Sequence, residues 1–404
     1  MSTVRSAKEH VARTREQGGR VPAAWLAVLA GPLSFGIAGP ALVLADVARD
    51  LGLTPAAVTW IVTAFGWAVA VGTPLMASLQ SRRGSRTALA ACAALVLLGG
   101  ILTLVAPVLP VLVTGGALQG LGAAGLTTIA MSLARSARTM GLVTASLATV
   151  GSVAPLVGDV VTGLLGWRAA LVLPVLSLLA VPSVLRRRPV TVLSAPRFDL
   201  PGAALLTALV TALVFVPHAW QVATPATVAA GLACARWLQH RPDGFVPAAV
   251  VRSPVFLLAA GTAFLLAVVN FGTMYALPPL LAERAGWTGQ QVGLAITWPL
   301  LFGGIASYVV IAVTARTPFE FLVVLFPLLA GAGIVLASLT AAPFALLGAQ
   351  ALTSVAAASG QGALAARAGT AVPEDSRAAA MGQFNLAYLL GAALGPAIAA
   401  LLLA

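Results

Sequence analysis

Long apolar stretches alternate with short polar connections along the whole chain. The apolar stretches are 17 to 29 residues long and lack period-2 alternation, so they predict helices and argue against a membrane β-barrel. About 20 apolar residues suffice for a helix to cross the hydrocarbon core of a bilayer. The pattern predicts an all-α polytopic membrane protein of about thirteen spans, at residues 22–45, 57–79, 87–106, 109–134, 139–166, 169–185, 200–217, 222–239, 254–282, 287–315, 319–340, 343–366 and 378–404.

The polar connections divide these helices into groups of six, two and five. Two packed helical lobes with a path between them form the architecture of many secondary transporters, and two extra helices fit as an inserted hairpin. We predict a cytoplasmic tail at 1–21, an N-terminal six-helix lobe at 22–185, a linker with an inserted two-helix hairpin at 186–253, and a C-terminal lobe of about five helices at 254–404.

Charged residues are scarce and are sorted to one side of these spans. They make up 8% of the chain, hydrophobic residues make up 60%, and the mean hydropathy is +1.00, which excludes a soluble domain. With the tail in the cytoplasm, only Arg49, Arg168 and Arg284 of the 23 basic residues fall outside, as the positive-inside rule requires. We therefore predict a multi-pass protein of a bacterial plasma membrane with a cytoplasmic N-terminus and an external C-terminus.

The net charge of +12 follows from this sorting and does not indicate nucleic-acid binding, because the bases lie in connections between spans. The sequence contains no Walker A loop, HExxH, CxxC or Gly-x-Ser-x-Gly motif. We predict no enzymatic activity, no cofactor and no metal site. The expected partners are the lipid bilayer and a small-molecule substrate, and we expect a monomer, although the sequence does not fix the oligomeric state.

Several short motifs occur in a characteristic order. They are ARDLG at 48–52, WIVTAF at 60–65, LQGLGAA at 118–124, APLVGD at 154–159, GWR at 166–168, RFDLPGA at 197–203 and LPPLL at 277–281. Their order and spacing resemble those of the fourteen-helix drug exporters of the major facilitator superfamily. The resemblance implies that superfamily's fold and proton-coupled export of a small hydrophobic or amphipathic compound, such as an antibiotic, by alternating access.

Three charged groups of those exporters have no counterpart here. Gly36 and Ser81 stand where the exporters carry Asp, and Gly116 stands where they carry Arg. The exporters' final helix also has no counterpart. Two alternatives therefore stay open: a transporter-like membrane scaffold or accessory protein without proton-coupled flux, and a facilitator of an uncharged metabolite.

Asp159 is the one acid deep inside a predicted span. A carboxylate in a membrane is costly, so it usually faces a cavity, forms an ion pair or takes up a proton. We predict that Asp159 carries the coupling proton or contacts a cationic substrate. The competing interpretation is a structural ion pair with Arg168.

Other candidates lie in spans that, by the resemblance, line a central cavity, although ordinary packing also accounts for each of them. They suit an apolar pocket with a few hydrogen-bonding groups. The cavity candidates are Trp60, Phe65, Trp67, Gln119, Asn270, Tyr275, Trp298, Gln383, Asn385 and Tyr388, and the gating or loop candidates are Arg82, Gly84, Arg86, Pro155 and Arg168. The basic loop is either a topology anchor on anionic lipid or a lock between the lobes.

Overall fold

The described part of the chain is helical, without a strand. The computed structural model describes residues 21–134, 137–187, 199–242, 244–314, 316–339, 342–373 and 376–403; the predicted cytoplasmic tail lies almost entirely outside them. The main helices are α1 (Ala23–Ala41), α2 (Pro55–Gln80), α3 (Arg82–Val105), α4 (Leu109–Leu133), α5 (Ala137–Leu165), α6 (Leu173–Arg186), α7 (Leu200–Pro217), α8 (220–240), α9 (Pro254–Ala285), α10 (Gly289–Thr314), α11 (Phe319–Leu339), α12 (Pro343–Thr370) and α13 (Arg377–Leu402).

Ten of the described helices are long and apolar enough to cross a membrane. The fold is therefore an all-α, multi-pass membrane fold, while the count of thirteen spans stays a prediction. The other three predicted spans correspond to α6, which is short, and to α8 and α12, which carry more polar residues. Helix α12 is nevertheless packed on most of its surface, so burial inside the protein compensates for its lower hydropathy.

The short connections make consecutive helices antiparallel, which gives the molecule two ends. We call the end that carries Arg82, Arg86 and Arg377 the basic end, and the end that carries Asp46 and Asp50 the acidic end. We assign helices α1–α6 to the predicted N-terminal lobe and α9–α13 to the predicted C-terminal lobe.

At the acidic end both lobes contribute to one apolar cluster, which we call the shared core. Its N-terminal-lobe members come from α1, α2, α4, α5 and the short segments 42–48 and 167–171, and its C-terminal-lobe members come from α9, α10 and α12. Its main buried side chains are Leu42, Val43, Ile61, Val62, Leu112, Met274, Tyr275, Leu277, Leu281, Val292, Ile296, Leu346 and Leu347.

At the basic end each lobe has a core of its own. Leu26, Leu89 and Ile129 belong to the core of the N-terminal lobe. Phe256 and Phe326 belong to the core of the C-terminal lobe. Each lobe thus has a core of its own at the basic end, whereas the shared core joins the lobes at the acidic end and a smaller cluster of α2, α7 and α13 side chains joins them along one side.

Helix α7 of the inserted pair packs across the seam between the lobes. Its Val210 and Val214 are buried against Val71 of α2 and against Leu386 and Leu390 of α13. Helix α8 lies outside α7 and is mostly exposed on the surface that a bilayer would cover. The inserted pair therefore attaches through α7 to both lobes.

Asp199 ties the start of the inserted pair to its end. Its carboxylate accepts hydrogen bonds from the Gly202 backbone N–H at 3.0 Å, the Trp237 indole at 3.1 Å and the Phe245 backbone N–H at 2.9 Å. Burial by itself would raise the pKa of this carboxyl, but the hydrogen bonds and Arg241 outweigh it and hold the pKa below its ordinary value. The hairpin is thus closed by an ionised carboxylate.

Pairs of glycines allow helices within each lobe to approach closely, as small residues do in membranes. On α4, a Cβ atom on Gly116 would lie 3.1 Å from the Ile61 carbonyl oxygen, and one on Gly120 would overlap the backbone of α2. On α13, a Cβ atom on Gly395 would lie 2.7 Å from the Val268 carbonyl oxygen of α9. Any side chain at these positions would push the helices apart.

Candidate functional site

The closest approach between α5 and α10 joins the two lobes at the acidic end. A Cβ atom on Gly293 would lie 3.1 Å from Leu156 Cα and 3.0 Å from Leu42 Cδ1. One turn nearer the start of α10, a Cβ atom on Gly289 would lie 2.5 Å from Asp159 Oδ1. The backbone of α10 therefore lies directly against α5, and the Asp159 carboxylate touches its first turn.

Thr288 and Gln291 fix the first turn of α10. The Thr288 N–H donates to Gln291 Oε1 at 2.9 Å, and the Gln291 N–H donates to Thr288 Oγ1 at 3.4 Å, which is a reciprocal capping arrangement. The partial positive charge of a helix N-terminus favours a nearby anion. The carboxylate of Asp46, which follows α1 in the chain, interacts electrostatically with Asp159, and both groups are acidic.

Two hydrogen bonds also cross between the lobes at this end. The Tyr275 hydroxyl of α9 donates to the Ile37 carbonyl of α1. In the 3₁₀ step of α1 at Gly39–Ala41, Pro40 occupies the position that would bond this carbonyl, and proline has no N–H. Nearby, Thr63 Oγ1 donates to the Ala393 carbonyl at 3.4 Å, joining α2 to α13.

Arg168 pairs with Asp50 and not with Asp159, which corrects the alternative left open by the sequence. Arg168 Nη1 lies 3.6 Å from Asp50 Oδ2, and Arg168 Nη2 donates to the Ala106 carbonyl at 3.2 Å. The Trp167 indole donates to the same Asp50 oxygen at 3.0 Å. Gly166, with φ +87°, turns the chain so that Arg168 points along the N-terminal lobe.

Asn270 belongs to a buried polar group, which we call the amide cluster, with Gln350 and Ser354 of α12. Gln350 Nε2 donates to Asn270 Oδ1 and to Ser354 Oγ, both at 3.1 Å. Ser354 Oγ donates to Asn270 Oδ1 at 3.0 Å. Gln350 is completely buried, and its Oε1 atom has no hydrogen-bond partner among the described residues.

Trp60 and Trp67 lie on the seam with α7, and their cavity role stays a prediction. The Trp60 ring packs against Phe215 with ring centroids 4.8 Å apart, and the Trp67 indole donates to Thr211 Oγ1 at 3.0 Å. Both partners belong to the inserted pair. The sequence pattern identified these residues as important aromatics but not the helix that they contact.

Phe65 and Gln119 are packed inside the N-terminal lobe. The Phe65 ring fills the space beside Gly36, where any side chain would overlap it. Gln119 Nε2 donates to Thr103 Oγ1 at 3.1 Å, and both side chains are buried between α3 and α4. Gln119 Oε1, like Gln350 Oε1, has no partner among the described residues.

The candidates on α10 and α13 point in different directions. Trp298 is 47% exposed and shares its face of α10 with Phe302 and Ile305, away from the contacts with α5 and α12. Gln383 lies on the face of Leu386 and Leu390, toward α7. Neither Trp298 nor Gln383 therefore points into the interior of the C-terminal lobe.

Asn385 and Tyr388 occupy other faces of α13. Asn385 is half-buried and, at two residues from Gln383, points about 200° away from it and therefore away from α7. Tyr388 is buried in the C-terminal lobe core. Of the ten cavity candidates, Tyr275 contacts the other lobe through its hydrogen bond to the Ile37 carbonyl, and Asn270 lies in the amide cluster on the same helix.

The basic loop joins α2 to α3 through Gly84, whose φ of +82° breaks the helix. Arg82 and Arg86 are exposed at the basic end. Gln80, which the sequence interpretation did not single out, donates to Ser85 Oγ at 3.0 Å and to Ser132 Oγ at 2.7 Å. The loop is thereby tied to the end of α4 within its own lobe.

Pro155 is buried in α5 one turn before Asp159. Proline removes the backbone hydrogen bond to the carbonyl four residues earlier, which loosens the helix there. The neighbouring Gly158 lies against the α1 backbone, since its Cβ atom would be 2.6 Å from the Gly39 carbonyl oxygen. The end of α5 that carries Asp159 is thus locally irregular and closely packed.

Sequence reasoning missed Gln350 and Ser354. The sequence did contain a pattern that could have identified them. They are polar residues four positions apart in a mostly apolar helix, so they must share one face of it. Polar groups buried in membrane helices hydrogen-bond to one another, so a search for a partner of Asn270 could have found them.

Three comparisons relate the chain to known proteins. It is 27% identical to the methylenomycin A resistance protein of Streptomyces coelicolor over 309 residues, covering 71% of this chain and 65% of that relative. It is 28% identical to the multidrug resistance protein Stp of Mycobacterium tuberculosis, covering 63% and 51%. It is 33% identical to the cephamycin export protein CmcT of Amycolatopsis lactamdurans, covering 46% and 42%. The chain thus spans less than two thirds of these relatives.

Two solved structures share the fold. The human organic anion transporter MFSD10 (TETRAN) superposes with a TM-score of 0.61 at 16% identity, covering 94% of this chain and 92% of that one. A bacterial homologue of the human lysosomal transporter Spinster, in an inward-facing and occupied conformation, gives a TM-score of 0.62 at 16% identity, covering 93% and 80%. At this identity the likeness concerns the fold alone. The sequence matches one family over residues 24–396, and the chain belongs to the Major Facilitator Superfamily.

Proposed function

We propose that this chain is a secondary active transporter that exports a small hydrophobic or amphipathic compound, such as an antibiotic, by alternating access. The observation that carries the proposal is the one-sided closure of the molecule. The lobes share a core at the acidic end and have separate cores at the basic end. Such an arrangement suits two lobes that rock about a path between them. The drug-resistance and export functions in the names of its relatives support the direction and the substrate class.

We place the basic end in the cytoplasm of a bacterium, because basic residues mark the cytoplasmic side of membrane proteins. The closed acidic end then faces outward, and we expect the path between the lobes to open toward the cytoplasm. This is the state in which an exporter takes up its substrate. On this assignment the chain loads from inside and must open the shared core to release outside.

Asp159 is our candidate for the coupling proton. Its carboxylate touches the first turn of α10 across the lobe interface. An anion at a helix N-terminus is stabilised by the helix dipole, so protonation of Asp159 would weaken this contact. Proton uptake from outside would thereby be linked to the state of the outer closure.

The test is transport by the purified full chain in lipid vesicles with an imposed pH gradient, using a panel of lipophilic antibiotics. We expect accumulation that collapses when a protonophore is added. We expect Asp159→Asn to abolish accumulation while leaving equilibration down a substrate gradient. Asp50→Asn is the matched control, because Asp50 lies at the same end but pairs with Arg168 within one lobe.

The two alternatives give different results in the same vesicles. Equilibration without accumulation in the wild type identifies a facilitator of an uncharged compound, which the uncharged positions Gly36 and Gly116 would favour. A complete lack of flux identifies a scaffold or accessory protein. Full accumulation in Asp159→Asn would refute the proton role of Asp159 without refuting transport.

A further inference from the structure

The amide cluster leaves one strong hydrogen-bond acceptor free. Both hydrogens of the Gln350 amide are used, and Asn270 Oδ1 accepts two hydrogen bonds. Gln350 Oε1 remains, buried and without a partner among the described residues. A buried acceptor left without a donor is unfavourable, and the hydrocarbon around a membrane helix offers no water to relieve it. The group is therefore suited to accept a hydrogen bond from a molecule other than the protein.

The amide cluster lies where the shared core ends. Leu346 and Leu347, one turn before Gln350 on α12, belong to the shared core, and so does Met274, one turn after Asn270 on α9. Beyond the cluster toward the basic end, α9 and α12 belong to the separate core of the C-terminal lobe. The cluster is thus at the depth where the shared core ends and the separate core of the C-terminal lobe begins.

The surroundings of the amide cluster contain no charge to neutralise an ion. The described residues of α9–α13 carry charges only at helix ends, namely Glu283, Arg284, Glu320, Arg367 and Arg377. Glu283 is thirteen residues from Asn270 along α9, which corresponds to about 20 Å. An ion without a partner in an apolar interior is strongly disfavoured, whereas a neutral polar group needs only a hydrogen bond.

We propose that the amide cluster is a substrate subsite for an uncharged compound that donates a hydrogen bond, through an amide N–H or a hydroxyl, to Gln350 Oε1. The inference rests on the proposed function, since it names the substrate class of the same path between the lobes. Apolar parts of the compound would lie against the adjoining shared core. A compound with a fixed positive or negative charge is not accepted there.

Gln119 provides a matched control in the other lobe. It has the same side chain, one hydrogen bond to Thr103, and a buried Oε1 without a partner among the described residues. However, it lies between α3 and α4, where a Cβ atom on Gly99 would be 2.8 Å from Gln119 Cγ. Replacing it removes an equivalent amide from a closely packed helix pair within one lobe.

The experiment measures binding of four fluorescent probes to the purified full chain in detergent. Dansylamide is neutral and donates a hydrogen bond, its N,N-dimethyl derivative is neutral without a donor, dansylglycine is an anion, and a dansyl derivative with a trimethylammonium group is a cation. We expect the wild type to bind dansylamide about tenfold more tightly than each of the others, the effect of one buried hydrogen bond. Gln350→Leu should remove the preference over the N,N-dimethyl derivative, and Gln119→Leu should keep it; the discrimination against the two ions, which rests on the lack of charge around the cluster, should stay in both variants.

Equal binding of all four probes by the wild type would overturn the inference, because Gln350 would then not select a donor. No binding of any probe would also overturn it. A preference over the N,N-dimethyl derivative that survives in Gln350→Leu would overturn it as well. The wild-type comparison requires no variant, so a failure of Gln350→Leu to fold does not remove the test. Donor-selective binding without flux in vesicles refutes transport but keeps the subsite. Flux of the cation or anion without flux of dansylamide refutes the subsite but keeps transport.

Discussion

The acidic and basic ends of the molecule are held together in different ways. At the acidic end, side chains from both lobes form one core, and backbone lies against backbone at Gly293 and Leu156. At the basic end, large side chains such as Phe256 and Leu89 are buried within separate lobes. Close-packed interiors resist rearrangement, whereas a contact between smooth helix faces can part without repacking either lobe. On the proposed function, this difference indicates that the shared core at the acidic end is the one that opens during transport.

Replacing Gly293 by a larger residue should have the largest effect on the closure of the acidic end. A leucine there would collide with α5, because even a Cβ atom would lie 3.1 Å from Leu156 Cα. We expect Gly293→Leu to hold the acidic end open and to reduce export at least tenfold. The measurement is export from vesicles together with the labelling rate of a cysteine introduced at the acidic end.

Gly304 is the matched control, because it lies on the same helix with nothing within 4 Å of a Cβ atom. Gly304→Leu should label and transport like the wild type. If the two leucine variants behave alike, the backbone contact between α5 and α10 does not close the acidic end.

The loss of one hydrogen bond between the lobes should cause a smaller increase in the population that is open at the acidic end. Tyr275→Phe removes the bond to the Ile37 carbonyl and leaves the ring in the shared core. A hydrogen bond contributes about 1 kcal/mol, so the population open at the acidic end should rise roughly fivefold. The same cysteine labelling measures it. Tyr388→Phe, within the C-terminal lobe, should leave the labelling rate unchanged.

The smallest effect on the two ends should come from the inserted pair, which belongs to neither core. Asp199→Asn removes the charge that binds Trp237 and Phe245 and should destabilise the hairpin by about 1 to 2 kcal/mol while export continues. Thermal melting of the detergent-solubilised protein measures the loss. Unchanged melting together with lost export would show that the hairpin takes part in closure.

The same carboxylate predicts a dependence of stability on pH. Its folded pKa lies below the ordinary value of about 4, so its contribution is complete above that value. The contribution is lost as the pH falls through the folded pKa, where the carboxylate takes up a proton. Wild-type melting should therefore drop below about pH 4 more than that of Asp199→Asn, and parallel curves would contradict this role of Asp199.

Much of the fold could be predicted, because the length of an apolar stretch and the charges at its two ends can be read for each span without knowing its neighbours. The glycine pairs could also be interpreted from the sequence, because a spacing of four residues places Gly116 and Gly120 on one face of α4. The superfamily followed from the order of motifs and is confirmed by the family match. The number of spans stays a prediction, because α12 is sheltered by its neighbours and shows less hydropathy than its position suggests.

The candidate site was less predictable because it depends on which helix faces which. Arg168 lies two residues after Gly166, whose positive φ sets the direction of the chain there. Its spacing from the acidic residues therefore did not reveal that it pairs with Asp50. The partner of Asn270 lies 80 residues away on α12. A polar residue in a span reveals that it needs a partner, but its identity is a property of the packed lobe.

The contact between Gly36 and Phe65 makes these two positions depend on each other. By the resemblance, the exporters carry Asp at about the position of Gly36, and here the Phe65 ring occupies the space that such a side chain would fill. Introducing the acid alone would create a clash, while shrinking the ring alone would leave a void. An aspartate at position 36 could therefore be accommodated only together with a smaller side chain at position 65.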